Sequence, residues 1–483
     1  MTAYKTTVEI PINAKPYQNV DSGFTQGLGS EMYDSYLDDV GNVCSFPGTT
    51  KFTKTGTNKS GDGGYWWENK QVAVFVSDGR VFSCTDSGVI TELTNSDLLT
   101  AGTPVTFTDN GDYLVMANGG KILYTDGTAG SAQFISDGDA PTEVTHVAFF
   151  DQWLIANKAG TGQFGFCDFM NSPTTWSALD VYTAEADADY IIALYVVKRV
   201  LVIIGTRSVE FWYNDGTSPF SRLEGILSAR GGMSAYSQTV IDEVMYLFDN
   251  KRKLVSLAGQ TATAIDTSFD RTFQNLETVS DCRLESCSIL GKSFLFANFP
   301  TEDQCFIYDI GSGYWFKRTY WNKATSTRER FVGQSYIYAR SWNKHLWCSR
   351  FDDTILEMNE LFYTDNGNQI YFFKDSGFID HSAPLKEKRS YRLQLFIKNG
   401  QGLGDDGNTI PQLRLRTIDM MMDGTLRYSN WRYINLNRKG QYSPMVILNS
   451  MGSYYSRKYQ IEGTPAVPIV IGKVYEEVGI SGF

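Results

Sequence analysis

Three histidines, His146, His345 and His381, are the only imidazoles in this 483-residue chain. No two lie close in sequence, so a histidine metal site would need convergence from distant segments. His146 follows Val144-Thr145 into the apolar run VAFF, and His345 adjoins Leu346-Trp347. Both read as strand residues beside a core, while His381 falls at an expected domain boundary. The seven cysteines are odd in number and contain no C-x-x-C pair. This disfavours a disulfide framework or a zinc site and fits synthesis in a reducing cytosol. Oxygen donors suited to calcium cluster at Asp109-Asn110-Gly111-Asp112, Asp137-Gly138-Asp139, Asp365-Asn366-Gly367-Asn368 and Asp405-Asp406-Gly407-Asn408. None has the register of a calcium loop, and Asn and Gly are also the residues that accept positive φ in tight turns. Glycoside hydrolysis would need two carboxylates converging to about 5–10 Å. Glu210 in VEFWY and Asp309 in FIYDI are acids within strands, but no paired-carboxylate motif accompanies them. There is no G-x-S-x-G elbow, phosphate-binding loop or dinucleotide fingerprint. The sequence therefore assigns no catalytic residue, no metal ligand and no cofactor. Tyr65-Trp66-Trp67, Tyr314-Trp315-Phe316 and Tyr320-Trp321 could stack on sugars or a protein neighbour, or wedge between sheets.

The elements that would position any such residues are short strands. VAVFVSDGRVFSC, residues 72–84, is an apolar run, a Ser-Asp-Gly break and a second run, the pattern of a β-hairpin. The plan returns in DYLVMANGGKILYTDG, WLIANKAGTGQFGFCD, VLVIIGTRSVEFWYNDG, EVMYLFDNKRKLVSLAG, SFLFANFPTEDQCFIYDIGSGYWFKRT and HLWCSRFDDTILEMNE. Turns starting at 77, 118, 157, 205, 249, 298 and 349 are spaced by 41, 39, 48, 44, 49 and 51 residues. A period of about 45 residues is that of propeller blades, each too small to cover its own faces. The expected fold is all-β, a β-propeller of about seven blades (six are possible), the alternative being generic hairpins in sandwiches. YIIALYVVKRVLVIIG, 190–205, carries Lys198 and Arg199 at its centre and reads as two buried strands hinged there, not a membrane span. TSFDRTFQNLETVSD, 267–281, places Phe269, Phe273, Leu276 and Val279 at helical spacing with Ser268 as cap, a short insertion between blades.

Three domains are expected: an N-terminal arm and docking segment over 1–60, the propeller over 61–382, and a C-terminal β-sandwich over 383–483, beginning near Ser382-Ala383-Pro384. High aromatic content, 14%, and 44 glycines agree with strands and turns. The N-terminus has no apolar signal region. Net charge is −11, which excludes wholesale wrapping of nucleic acid. The charge is uneven: residues 386–483 hold 14 Lys and Arg against 8 Asp and Glu, +6, leaving −17 on the remainder. A basic C-terminal domain on an acidic body suggests contacts with neighbouring subunits or an acidic partner, through Arg389, Arg392, Arg414, Arg416, Arg432 and Arg438.

Just before the first hairpin stands NVCSFPGTTKF, with Ser45, Phe46, Pro47 and Gly48 at its centre. The segment resembles the packaged-DNA stabilisation proteins that form the tail hub, or nozzle, of short-tailed (podovirus) phages. IIALYVVKRVLVIIGTRSVEFW, GGMSAYSQTVIDEVMYLF, CRLESCSILGKSFLFANFP and CFIYDIGSGYWF follow in the same order as that family's patterns. The resemblance covers roughly residues 40–320 and is weaker beyond. It implies a virion protein made in the host cytoplasm, with propeller subunits in a six-fold ring below the portal and its adaptor. Such a ring retains packaged DNA, passes it during ejection without sequence-specific binding, and carries spikes, fibres or a needle. No enzymatic activity, cofactor or membrane is implied. The competing reading is a tail-associated or secreted propeller that binds or hydrolyses glycans.

Overall fold

The computed structural model describes residues 5–13, 30–170, 172–184, 189–216, 219–265, 269–383, 385–403, 409–443 and 445–480. The chain divides into two compact units, and each is built from separated stretches. One comprises Met1–Thr50, Cys305–Phe331 and Asn359–Phe483; the other comprises Lys51–Gln304 and Val332–Met358. The linear division at 60 and 382 is a different cut, made where sequence style changes rather than where contacts are dense.

The larger unit contains a succession of small antiparallel sheets. Five have four strands each in chain order, starting with Gly61–Trp67, Thr106–Asp109, Val147–Phe150, Ile191–Val197 and Gln238–Ile241. A sixth begins with the paired strands Arg283–Ile289 and Lys292–Phe299. The seventh runs Gly333–Ala339, Lys344–Ser349, Thr354–Asn359, and residues 51–54 from the start of the chain lie along its outer edge. Its clasp is explicit: Thr55 N donates to Asp353 O at 3.1 Å, and Lys54 Nζ lies 3.1 Å from Asp352 and 3.3 Å from Asp353.

Each of the seven turns read from the sequence follows the second strand of a sheet. Two-residue turns use left-handed backbone: Asp78 and Gly79 have φ of 53° and 73°, and Lys198 and Arg199 have 49° and 61°. The apolar stretch around Lys198-Arg199 is thus the expected strand pair, Ile191–Val197 and Val200–Gly205. At Gly79 a Cβ would lie 2.2 Å from Leu99 O, so only glycine fits.

Burial occurs between sheets more than within them. Trp67, Val74 and Val76 of the first sheet pack with Leu114 and Met116 of the second. Phe164 and Phe166 of the third share a core with Leu201 and Ile203 of the fourth. Ala73 and Phe75 of the first pack with Ile337 and Leu346 of the seventh. Neighbouring blades are stitched in a closed circuit: Tyr65 stacks on Phe107 at 5.6 Å, Thr106 Oγ1 donates to Thr145 O at 2.8 Å, His146 lies 6.1 Å from Tyr195, and Tyr195 Oη donates to Gln238 O at 3.2 Å. Thr239 Oγ1 then meets Ser286 Oγ at 3.1 Å, Phe296 lies 4.8 Å from Trp347, and Gln334 Nε2 donates to Gly61 O. This is a seven-bladed propeller, in which each blade covers its neighbour.

The helical expectation needs correction. The helix is only Asp270–Asn275, since Leu276 is already extended at φ −65°, ψ 136°, and Val279 lies beyond it. Phe269 occupies the N-cap position without a side-chain cap bond; Ser268 lies outside the described residues. Arg252 Nη1 stops the helix by donating to Phe273 O at 3.3 Å and Leu276 O at 2.7 Å.

The smaller unit holds two facing sheets. One pairs Val43–Ser45, Val470–Ile480, Lys388–Ile397 and Val446–Tyr454, with Lys5–Ile10 added antiparallel along Val470–Ile480. The other runs from Tyr314–Lys317 through Met32–Tyr33, Phe372–Ile379 and Ser456–Gly463 to Gln412–Met420. Tyr459 Oη reaches Glu476 Oε1 at 2.6 Å, and Tyr314 Oη accepts from Leu37 N at 2.6 Å, tying the sheets together. The C-terminal strands thus share both sheets with N-terminal residues. Among the described residues no helix is long and apolar enough to cross a membrane.

Candidate functional site

A cavity of about 390 Å³ lies at the centre of the propeller, and the first strands of all seven blades line it. Its wall includes Asp62, Thr106, Val147, Tyr195, Gln238, Glu285 and Tyr336, one from each blade in turn. His146, Tyr236 and Arg283 join them from the residues preceding these strands or opening them. Burial is the first cause of each electrostatic shift. It lifts the Glu285 carboxyl to about 8, against a smaller opposing pull from Arg283. It lifts Asp62 to about 6, although Gly102 N donates to its Oδ2 at 3.1 Å. It drives His146 down to about 3, leaving a neutral imidazole stacked on Tyr236 at 5.4 Å. Arg283 is pushed down by burial and held up by the charges of Glu285 and Asp62, yet its Nη1 has no hydrogen-bond partner.

The acids singled out from the sequence are elsewhere. Glu210 is buried and accepts from Trp212 Nε1 at 3.0 Å. Asp309 is buried and accepts from Gly311 N at 3.0 Å and Ser312 Oγ at 2.8 Å. Neither lines the cavity; Asp62 and Glu285, which do, went unremarked because nothing local distinguishes them from other strand acids. His345 sits in the strand Lys344–Ser349 beside Tyr336 Oη at 2.7 Å, and His381 contacts Tyr454 and Glu476 in the other unit. The turn clusters behave as turns: Asp109 accepts from Gly111 N at 2.7 Å, and Asp137 from Asp139 N at 3.0 Å and Trp176 N at 3.0 Å. Asp365 is taken up by Arg318, and residues 405–408 lie outside the described residues. Trp67 is buried, Tyr65 stacks between the first two blades, and Trp66 meets Trp342 at 4.9 Å, so this aromatic run wedges blades together.

The segment Ser45-Phe46-Pro47-Gly48 belongs to a buried ion cluster in the smaller unit. Arg318, fully buried, pairs with Asp34 at 2.8 Å and Asp365 at 2.6 Å. The Phe46 ring centre lies 5.8 Å from its guanidinium, and Pro47 O accepts from Nη2 at 3.3 Å. Ser45 Oγ accepts from Ile469 N at 3.1 Å. Gly48 N donates to Phe362 O at 2.7 Å, and a Cβ there would fall 2.3 Å from Thr364 O. Ser45, Phe46 and Gly48 thus each have a reason for their type, and Pro47 contributes its carbonyl.

The six arginines divide in two. Arg389, Arg392 and Arg438 are exposed. Arg414 and Arg416 are half-buried on one face of the strand Gln412–Met420, stacked 4.4 and 4.5 Å from Trp431. Arg414 also pairs with Glu462 at 2.6 Å, and Arg416 lies over Tyr428 at 4.9 Å. Arg432 Nη2 donates to Ser450 O at 2.8 Å. Around them Met422, Tyr428, Tyr433 and Tyr442 are 67%, 54%, 64% and 75% exposed, an uncovered aromatic surface.

A seven-bladed propeller closed by a strand from early in the chain defines the class. Residues 28–353 match the family of phage stabilisation proteins described as bacteriophage P22 Gp10, β-propeller, and the chain belongs to that family of phage structural proteins. No curated protein sequence matches it. Similar solved structures include the extracellular domain of the putative one component system BT4673 from B. thetaiotaomicron, at 10% identity and a TM-score of 0.44. That similarity covers 83% of this chain and 62% of the other. The extracellular domain of the putative hybrid two component system BT3049 from the same organism gives 9% identity, a TM-score of 0.42, and coverage of 65% and 41%. The chain therefore spans less than two thirds of the length of either.

Proposed function

We propose that this chain is a tail-hub, or nozzle, subunit of a short-tailed phage virion. It assembles as a six-fold ring below the portal and adaptor, retains packaged DNA, forms part of the ejection conduit and carries distal spike, fibre or needle proteins. The observation that carries the reading is the family membership over residues 28–353. The uncovered arginine–aromatic surface of the basic C-terminal region adds to it, since Arg and Tyr are residues that interfaces favour. The propeller's own cavity, about 390 Å³, has the volume of a small molecule rather than of a nucleic-acid strand. DNA would therefore pass between subunits of a ring and not through a propeller. An acidic body of −17 suits the wall of such a conduit, because like charge keeps DNA from sticking.

Deletion of the gene from the parent phage, followed by electron microscopy of the particles, tests this reading. Heads that package DNA and then lose it, lacking a distal tail, are the expected result. Full, stable heads with a complete tail would overturn it.

A further inference from the structure

The central cavity has a wall that its structural role does not require. At about 390 Å³ it falls within the roughly 300–1,000 Å³ of small-molecule sites. Arg283 faces it with Asp62 of the first blade and Glu285 of its own, and still has Nη1 unpartnered. A guanidinium set beside carboxyl groups ordinarily closes a fork onto one of them. Here the acids and the base instead stand around an open space.

The charges in that wall nearly cancel. Burial presses Glu285 and His146 towards their neutral forms, and the Asp62 carboxyl stands opposite the Arg283 guanidinium in the same wall. Asp62 therefore balances Arg283. A charged guest of either sign would meet a like charge as well as an opposite one, so the wall favours neither sign. Tyr195, Tyr236 and Tyr336 add aromatic rings, the hydroxyls of Tyr195 and Tyr336 being held by Gln238 O and His345, and Phe107 adds a purely apolar ring. Groups that donate, groups that accept and flat apolar surfaces suit a ring of carbon carrying several hydroxyls.

We propose that the propeller cavity binds a neutral saccharide unit, its hydroxyls held by Arg283 and Glu285 and its C–H face against the tyrosine rings. The site rests on the ring geometry and the charge balance of its wall, and stands apart from the tail-hub reading.

The test uses the full-length protein, with galactose, glucose, rhamnose and N-acetylglucosamine as neutral probes and glucuronate and glucosamine as charged ones, read by saturation-transfer NMR and calorimetry. At least one neutral sugar should bind with a Kd of about 1 mM or tighter, and more tightly than either charged sugar. Arg283→Met and Glu285→Met should each weaken it about tenfold or more. Glu285→Gln, which keeps hydrogen-bonding capacity, should retain binding, and Arg438→Ala on the surface should change nothing. The same sugar at the end of a tetrasaccharide separates two sources: tighter binding than the monosaccharide marks a glycan terminus, equal or weaker binding a free sugar. The proposal is overturned if no neutral sugar binds at about 10 mM, if a charged sugar binds best, or if the Met variants bind unchanged. Should the Met variants fail to fold, a crystal of the unaltered protein soaked with the tightest sugar decides. Density within the seven-strand ring supports the site, and density elsewhere refutes it.

Discussion

Glu285 and His146 tilt the stability of the propeller in opposite directions with pH. An unfolded histidine takes up a proton below its ordinary 6.5, but His146 in the fold does so only at about 3. Its contribution is therefore present above 6.5 and lost as pH falls towards 3. An unfolded glutamate sheds its proton near 4.5, whereas Glu285 in the fold keeps it to about 8, so stability declines as pH rises across that window. Glu285→Gln should thus raise unfolding free energy by on the order of 1–2 kcal/mol at pH 8–9, discounted for water in the cavity, with no gain near pH 4.5. Urea unfolding of both proteins across pH measures this; a difference independent of pH would remove Glu285 as the cause. His146→Gln should move acid unfolding to lower pH. In the smaller unit, Arg318→Met leaves Asp34 and Asp365 buried without their cation and should cost about 3–5 kcal/mol. Gly48→Ala, facing backbone at 2.3 Å, should cost about 1–3 kcal/mol by overpacking; wild-type stability in either variant would contradict the geometry. The motif around Phe46 stood out in the sequence, but its reason did not. Arg318 meets Asp34 across 284 positions of chain and Asp365 across 47, and no local pattern marks such a meeting.

Hairpins were the most legible elements, because apolar runs of strand length broken by Asp-Gly or Lys-Arg need no tertiary information to read. What passed unnoticed is that the turn starts share more than spacing. Ser77, Asn118, Asn157, Asp249, Asn298 and Ser349 are all buried polar residues at the end of an apolar run. Several of them fasten the connection arriving from the previous blade. Ser77 Oγ donates to Lys59 O at 2.9 Å, and Asn118 exchanges bonds with Thr100 at 2.8 and 3.3 Å. Asn157 accepts from Thr145 N at 3.1 Å and His146 N at 2.8 Å, and Asp249 takes Arg230 at 2.7 Å. The fourth blade reverses the roles. Gly205 stands at the turn, and Asp189 from the incoming connection accepts from Thr206 N at 2.7 Å, Arg207 N at 2.8 Å and Ser208 N at 2.9 Å. Burial pushes Asp189 up, but the bonds from Thr206 and Ser208 outweigh it and hold the carboxyl below its usual range. A polar residue recurring in phase with the hairpin was the signal available. Asn157→Ala, which strands one buried and one half-buried amide, should cost about 2–3 kcal/mol in thermal or urea unfolding. Loss of less than about 0.5 kcal/mol, the range of an ordinary surface change, would show that the connection holds itself.

For the whole molecule, the sequence conveyed the ring and the charge asymmetry but not how the chain is shared between its two units. Strands 305–331 and 359–483 pair with residues from the first fifty, and partners so distant leave no periodicity to find. Exposed Arg389, Arg392 (3.9 Å from Glu477) and Arg438 offer a test of the proposed interface. Replacing all three with glutamate should leave monomer stability within about 1 kcal/mol while abolishing incorporation into particles, scored by mass spectrometry of purified virions. Normal incorporation would move the interface elsewhere. The clasp of the seventh blade carries a consequence in time. Lys54 finds Asp352 and Asp353 across 298 and 299 residues. At about 5–20 residues per second of synthesis, the early strand waits some 15–60 s for its partner to emerge. Until then six blades can form but the circle stays open, with an unpaired edge ready to join the wrong chain. Crowded late infection, with many such chains growing together, is when that wait is most dangerous, and a chaperone that shields residues 51–54 would be most useful then.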